Sequence, residues 1–105
     1  MQKRKLGNTN IHLSSLGFGA APIGDLFENL DERSCYDILE NAYNFNFNLF
    51  DTSPFYGNGL SEHRTGNFLK TVDEESYFLS TKVGRYLTPE KNQNIDRGAW
   101  AGGLN

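Results

Sequence analysis

Short apolar stretches alternate with helical patterns along most of the chain. Residues 3–6 and 11–14 flank the turn-forming residues Gly7-Asn8-Thr9-Asn10, and this arrangement predicts a β-hairpin. Residues 16–20 form the next apolar stretch, which ends before Pro22. We therefore predict that the chain begins with a hairpin, followed by a short buried strand.

An amphipathic helical pattern begins after Asp31. Aspartate is a favourable N-cap residue, and Glu32 in the first turn suits the helix dipole. Apolar residues then recur at helical spacing, at Cys35, Ile38, Leu39, Ala42 and Phe45. The pattern predicts a helix near residues 32–45, with Cys35 as a small core residue on its apolar face.

The same alternation of strand and helix continues along the chain. Leu49-Phe50 predicts a short strand that ends at the polar residue Asp51. A helix near residues 61–70, capped by Ser61, would follow it. Residues 77–83 are aromatic and β-prone, and they predict a further strand.

Alternating strands and helices predict an α/β fold, with parallel strands joined by right-handed crossovers. Three parallel strands would leave two edges with unpaired N–H and C=O groups. We therefore expect marginal stability, or self-association through the open sheet edges. From Gly84 onward the chain is polar and rich in glycine, and we predict no firm structure there.

Composition narrows the class of protein. The 105 residues suffice for one small domain, with 37% hydrophobic residues and a net charge of −3. No cluster of lysine and arginine is long enough to form a basic stripe, so we expect no nucleic-acid partner. No apolar run approaches the roughly 20 residues that a membrane helix needs, so we expect no membrane partner.

Cysteine usage favours a reducing compartment. Cys35 is the single cysteine, so the chain cannot form an internal disulfide. No apolar segment follows the N-terminal residues as in a signal peptide, and a cytoplasmic location follows by elimination. Cys35, His12 and His63 do not have the spacing of a zinc site, and we expect no metal.

Polar residues follow the predicted strands at the points where chemistry is expected in an α/β barrel. Asp51 ends the second strand of the sheet, Tyr56 lies in the next loop, and Lys82 lies at the end of the third strand. The carboxyl ends of neighbouring parallel strands lie side by side. We therefore expect these three side chains to form one cluster.

Such a cluster suits proton transfer. A free phenol has a pKa of about 10, and a nearby ammonium lowers it by stabilising the phenolate. A carboxylate would fix the lysine and keep it charged. The phenol could then act as a general acid or base on a carbonyl or alcohol, while hydride transfer would need a nicotinamide or flavin cofactor.

Each residue also has an ordinary structural interpretation. Asp51 could cap a turn, Tyr56 could cover the core from a loop, and Lys82 could be a surface lysine whose stem lies on apolar surface. Taken singly, these interpretations are the more common ones. The joint placement of the three residues at strand ends is what favours a functional site.

Four segments of the chain carry a family resemblance. They are Leu16-Gly17-Phe18-Gly19-Ala20, Phe50-Asp51-Thr52-Ser53-Pro54-Phe55-Tyr56-Gly57, Ser61-Glu62-His63-Arg64-Thr65-Gly66 and Leu79-Ser80-Thr81-Lys82-Val83-Gly84-Arg85. Together they resemble the aldo-keto reductases, and within that family a subgroup of aldose dehydrogenases that also includes pyridoxal dehydrogenase. The opening Arg4-Lys5-Leu6-Gly7-Asn8-Thr9 is similar to the family's N-terminal hairpin, and the later Trp100-Ala101-Gly102-Gly103-Leu104 is similar to the subgroup.

The resemblance implies an α/β fold that is the N-terminal part of a TIM (β/α)₈ barrel. A leading hairpin and about three parallel βα units would make an incomplete barrel. Residues 1–105 would then be one partial domain. It also implies an NADP- or NAD-dependent oxidoreductase that interconverts a carbonyl with an alcohol or lactone. The substrate would be a small sugar or aldehyde.

Residue roles follow from the same resemblance. Tyr56 would donate or accept the proton, Lys82 would assist its ionisation, and Asp51 would hold Lys82 and lie near the nicotinamide. Gly19 and Ala20 would lie beside the cofactor. Within the family's motif, Glu62 would provide a charge at the helix start and Gly66 a close-packing position.

Two departures from the family pattern leave alternatives open. Asn46-Phe47-Asn48 stands where the family usually has glycine, an aromatic residue and arginine. The family's barrels typically need about 250 residues, and the catalytic histidine that follows the fourth strand is absent here. The alternatives to an active oxidoreductase are therefore an inactive truncated fragment or a non-catalytic accessory subunit.

Overall fold

The computed structural model describes residues 1–89. The expectation of a polar segment without firm structure therefore lies partly outside the described residues. The resemblance at Trp100–Leu104 lies wholly outside them. Among the described residues, no helix is long and apolar enough to cross a membrane.

The chain begins with the predicted hairpin. Strand β1 (Lys3–Lys5) pairs antiparallel with β2 (His12–Ser14). Asn48 attaches this hairpin to the rest of the fold. Its side-chain oxygen accepts from the Ser14 amide at 2.7 Å, and its side-chain nitrogen donates to the His12 carbonyl at 2.9 Å.

Three short parallel strands form the sheet, in the order β3 (Phe18–Gly19), β4 (Leu49–Asp51), β5 (Phe78–Ser80). Their register places Gly19, Asp51 and Ser80 side by side at the carboxyl ends. The predicted α/β order is confirmed.

The strands are shorter than the predicted residues 16–20 and 77–83. On β5, the Thr52 amide makes the last bond, to the Ser80 carbonyl at 2.8 Å. Residues 81–83 have no strand partner in the described part of the chain, and the Val83 side chain is fully exposed. On the other side, Leu16 is exposed, and after Ala20 the chain enters a 3-10 turn over Pro22–Gly24.

Helix α1 (Glu32–Asn44) follows the predicted pattern closely. The Asp31 carboxylate caps it by accepting from the Ser34 amide at 2.7 Å, and Cys35 and Leu39 are buried. The prediction that Phe45 continues the apolar face is wrong. Its side chain is 71% exposed, because the helix has already ended at Asn44. Asn46 then turns the chain with a φ of 70°, a conformation that asparagine tolerates better than most residues.

Helix α2 (Leu60–Leu69) corrects two expectations. Its N-cap is Gly59, with a φ of 99°, and not Ser61, which is fully buried inside the helix. Gly66 is not a close-packing position among residues 1–89, because a Cβ atom built there would meet none of their atoms within 4 Å. Glu62 does lie in the first turn, and its carboxylate also accepts from the Thr81 hydroxyl at 2.7 Å.

The core contains apolar side chains from both helices, from the sheet and from the loop after β3. Tyr36 and Tyr43 of α1 meet Phe68 edge-on, with ring centroids 5.4 and 5.8 Å apart. A second 3-10 turn over Glu74–Ser76 leads into β5. The buried core residues are Ala20, Ile23, Cys35, Leu39, Phe50, Phe68 and Leu69.

Candidate active site

The candidate site lies at the carboxyl ends of β4 and β5. Asp51 is the last residue of β4, and Lys82 lies two residues beyond the end of β5. The Lys82 Nζ donates to Asp51 Oδ2 at 3.0 Å and to the Thr52 carbonyl at 2.9 Å. Parallel pairing of the two strands thus brings together a carboxylate and an ammonium that are distant in sequence.

Tyr56 reaches the same place from the loop after β4. The Lys82 Nζ lies over the face of its ring, 4.9 Å from the centroid. The Tyr56 amide donates to the Ser53 carbonyl, and the Tyr56 carbonyl accepts from the Ser61 amide, both at 3.1 Å. The structure therefore brings the predicted residues Asp51, Tyr56 and Lys82 into one cluster.

The charge state of Lys82 follows from this environment. Desolvation is the largest influence, and it lowers the pKa of Lys82. Hydrogen bonding and charge from Asp51 and Tyr56 act in the opposite direction and outweigh it, so the pKa lies above its ordinary value. Lys82 is therefore a cation at neutral pH. Its side chain is about half buried, at 49% exposure.

A pocket of about 350 Å³ opens beside the cluster. The Arg85 guanidinium lies over the Phe55 ring at its edge, 5.8 Å from the centroid. The pocket combines aromatic surface with cationic groups, which suits a small polar ligand. Its lining residues are Ser53, Pro54, Phe55, Tyr56, Lys82, Val83, Gly84 and Arg85.

The two residues predicted to lie beside a cofactor have different environments. Gly19 is exposed and pairs with Asp51, and no atom of the described residues lies where its side chain would stand. Ala20 is fully buried, its amide donates to the Asp51 carbonyl, and its carbonyl accepts from the Ser61 hydroxyl. In this structure Gly19 can contact a ligand, whereas Ala20 has no accessible surface to offer one.

A chain of buried hydroxyl groups fastens the strand ends to α2. The Ser61 hydroxyl donates to the Ala20 carbonyl at 2.7 Å and lies 2.7 Å from the Thr52 hydroxyl, which is therefore the donor of that second bond. Sequence reasoning missed this role because it treated Ser61 as a helix cap. A serine inside a helix that faces two strand ends has no distinctive sequence signal.

Arg64 is the other residue that sequence reasoning left without a role. It is only 7% exposed and donates to two carbonyls and two carboxylates around the loop between β3 and α1. Desolvation lowers its pKa most, but the bonds to Glu32 and Asp25 outweigh that effect and raise the pKa above its ordinary value. The sequence signal available for this role was an arginine on the buried side of a predicted helix, together with acidic residues near the start of the preceding helix.

Comparison with known proteins identifies the family. The sequence profile of the Aldo/keto reductase family matches residues 15–102. The chain belongs to this family. It is 41% identical over 88 residues to an L-galactose dehydrogenase of Arabidopsis thaliana, a match that covers 82% of this chain and 28% of the relative. It is 43% identical over 77 residues to a D-threo-aldose 1-dehydrogenase of a Pseudomonas species, covering 73% and 23%.

Solved structures of aldo-keto reductases have the same fold. The holo form of one from Bacillus halodurans superposes with a TM-score of 0.74 at 32% identity, over 89% of this chain and 29% of that one. The hairpin and parallel βα units are thus the N-terminal part of a TIM barrel. A pyridoxal 4-dehydrogenase of Microbacterium luteolum, 36% identical, matches 99% of this chain and 33% of its own. The chain therefore spans about a quarter to a third of the length of these relatives.

Proposed function

We propose that Tyr56 is the general acid or base in an NAD(P)-dependent interconversion of a carbonyl with an alcohol or lactone. One observation carries the proposal. The Lys82 ammonium is held by the Asp51 carboxylate at 3.0 Å and lies 4.9 Å from the centroid of the Tyr56 ring. This arrangement holds a charged donor beside the phenol that would exchange a proton with the substrate.

In the reducing direction, the phenol of Tyr56 donates its proton to the carbonyl oxygen as negative charge develops there. In the oxidising direction, the phenolate accepts a proton from the substrate hydroxyl. Lys82 stays charged because its pKa is raised, and its charge stabilises the phenolate. Asp51 holds the lysine in place. A nicotinamide cofactor supplies or accepts the hydride when bound.

The residues at the strand ends fit the nicotinamide end of such a cofactor. Within the described residues, Gly19 leaves open space next to Asp51, so a flat ring can approach the backbone there without meeting a side chain. Asp51 pairs with Gly19 and also holds Lys82, and the side chains of Asp51 and Lys82 are each about half exposed. Both NADP and NAD fit this part of the proposal.

A small sugar or aldehyde is the proposed substrate class. Two relatives have names that refer to the sugars L-galactose and D-threo-aldose, and a third refers to pyridoxal. The pocket beside Tyr56 supports this class, because it combines the Phe55 ring with the cationic groups of Lys82 and Arg85. A sugar oxidised at its anomeric carbon would give a lactone.

A second candidate is that these 105 residues do not turn over a substrate by themselves, either as an inactive fragment or as an accessory chain. The observation that favours it is the share of the relatives' length that the chain covers, 28% for the L-galactose dehydrogenase. The two candidates differ in activity and share the Asp51–Lys82 geometry.

The decisive experiment measures hydride transfer by nicotinamide absorbance. The wild-type chain is tested with NADPH and NADH on aldehydes, and with NADP and NAD on aldoses. Tyr56→Phe removes the hydroxyl and keeps the ring beside Lys82, so we expect turnover to fall by about 10²–10⁴-fold. Tyr86→Phe, at an 85% exposed tyrosine, is the control and should be fully active.

Each outcome separates the candidates. Full activity of Tyr56→Phe would contradict the role of Tyr56. Turnover by the wild-type chain that depends on Tyr56 would support the first candidate. A folded wild-type chain without turnover on any of these substrates would favour the second.

A further inference from the structure

We infer that Arg64 is a positioning residue for Tyr56 and that it acts through the Pro22–Gly24 turn. The inference rests on the proposed role of Tyr56 as proton donor. Arg64 does not touch Tyr56, Lys82 or Asp51 through any hydrogen bond or ion pair in the described part of the chain. Its effect on the site must therefore pass through backbone.

The first step is the hold that Arg64 has on the turn. Its Nη1 donates to the Ile23 carbonyl at 2.8 Å and to Asp25 Oδ1 at 2.9 Å. Ile23 is the middle residue of the turn and is fully buried, and Asp25 follows it with a φ of 60°. The guanidinium thus fixes both the turn and the left-handed residue that ends it.

The second step is the contact between the turn and Tyr56. A Cβ atom built on Gly24 would lie 2.6 Å from the Tyr56 carbonyl oxygen, closer than real Cβ atoms come. A Cβ atom built on Gly57 would lie 2.2 Å from the Gly24 carbonyl oxygen. The two backbones therefore touch without intervening side chains, and a shift of the turn displaces the backbone of Tyr56 directly.

The third step is that helix α2 holds Tyr56 from its other side. The Ser61 amide in the first turn of the helix donates to the Tyr56 carbonyl at 3.1 Å. Arg64 lies one turn further along the same helix. Helix α2 thus holds Tyr56 through Ser61 and holds the opposing turn through Arg64. The carbonyl of the proposed proton donor is fixed between them.

Arginine suits this position because of its donor geometry. Nε donates to Glu32 Oε1 and Nη2 donates to the Leu30 carbonyl, both at 2.8 Å, while Nη1 faces the turn. A planar fork can reach these separate acceptors at once, whereas a lysine ammonium is a single point with three donors. Arg64→Lys therefore keeps the charge and loses part of the hold on the turn.

The test measures the geometry of the site and does not depend on activity. In the wild-type chain, labelled with ¹³C at the lysine ε-carbon, the ring current of Tyr56 should displace the Lys82 ε-methylene resonance, since Nζ lies 4.9 Å from the ring centroid. Lys82→Arg assigns the resonance, and Tyr56→Leu gives its position without the ring. We expect Arg64→Lys to lose most of the displacement between these two positions.

Arg33→Lys is the matched control. Arg33 is 79% exposed and pairs with Asp37 on α1, away from the turn, so its replacement should leave the resonance unchanged. A folded Arg64→Lys variant with the wild-type shift would overturn the inference. If Arg64→Lys does not fold, Gly24→Ala moves the turn with Arg64 intact, and a wild-type shift in that variant would also overturn it.

The same measurement distinguishes this inference from the proposed function. If the wild-type resonance already coincides with that of Tyr56→Leu, then Lys82 does not lie over Tyr56 and the proposed site itself is wrong. If the wild-type shift is present and is unaffected by the changes at Arg64 and Gly24, only the positioning role fails.

Discussion

The ammonium of Lys82 lies 3.0 Å from the carboxylate of Asp51, although 31 positions separate them in the sequence. The register of β4 and β5 produces this contact, since Asp51 pairs with Ser80 and Lys82 follows two residues later. Both side chains are about half exposed, at 49% and 41%. Water therefore screens the pair, and its value lies in orientation more than in stability.

The pH dependence of stability should reveal the Asp51–Lys82 pair. The pKa of Lys82 is raised by folding, so its contribution is present below the ordinary value of 10.5 and is lost as pH rises through the folded value. We expect Asp51→Asn to lower the free energy of unfolding by at most about 1 kcal/mol at neutral pH. This difference should disappear in alkaline solution, as measured by urea unfolding at a series of pH values.

Asp37→Asn is the control for that series. Asp37 pairs with Arg33 at 3.1 Å, and an arginine does not titrate in the same range. Its effect should stay constant across the alkaline pH range. An Asp51→Asn effect that also stayed constant would mean that Lys82 is not its titrating partner.

Replacement of the buried Arg64 should be among the most destabilising changes in α2. Arg64→Met removes bonds to the Ile23 and Leu30 carbonyls and leaves Asp25 and Glu32 without their cation. Because both carboxylates keep some contact with water, we expect a loss of about 2–4 kcal/mol. Arg33→Met should cost no more than about 0.5 kcal/mol. Equal denaturation midpoints for the two variants would refute the prediction.

Two hydroxyl groups on α2 should respond in opposite ways. Thr65 is 1% exposed, and its Oγ1 has no hydrogen-bond partner within residues 1–89. Thr65→Val should therefore be neutral or stabilising, by up to about 1 kcal/mol. Ser61→Ala should cost about 1–3 kcal/mol, because it leaves the Ala20 carbonyl and the Thr52 hydroxyl unpaired. Thermal unfolding followed by circular dichroism compares them, and a destabilised Thr65→Val would imply an unseen partner.

Two glycines should also respond in opposite ways to alanine. Gly66 lies within α2, and no described residue would contact a methyl group there, so Gly66→Ala should stabilise the helix by about 0.5–1 kcal/mol. Gly24→Ala would place a methyl group against the Tyr56 backbone and should lower the melting temperature. The measurement compares the sign of the change in melting temperature for the two variants. A lower melting temperature for Gly66→Ala would show that something packs at that position.

Much of the fold could be predicted from residue patterns. The start of α1 could be predicted at Asp31, because an aspartate just before an apolar helical pattern can accept from a free amide of the first turn. The meeting of Asp51 and Lys82 could be predicted because parallel neighbours end at the same edge of a sheet. The first prediction depends on a local rule and the second on the pairing of neighbouring strands. Neither requires knowledge of side-chain packing.

Other features depend on tertiary contacts and had no local signature. Serine is a common helix cap, and Ser61 was predicted to be one. The left-handed Gly59, two residues earlier, caps the helix instead, so Ser61 lies inside the helix and is buried. Gly66 suggested close packing, yet none of residues 1–89 would contact a side chain at that position. The role of Arg64 requires the loop from Ile23 to Glu32 to fold back onto α2. Self-association through the open sheet edges and a cytoplasmic location stay predictions.

The hydroxyl chain that joins Thr52, Ser61 and Ala20 consists of neutral groups that are almost wholly shielded from water. Dissolved ions weaken exposed charge pairs and leave such bonds untouched. Concentrated salt should therefore weaken the ion pair between Asp51 and Lys82, while the spacing of the strand ends stays the same. Ionic strength should therefore change the Asp51–Lys82 pair of the proposed site without changing the hydrogen bonds that hold the strand ends.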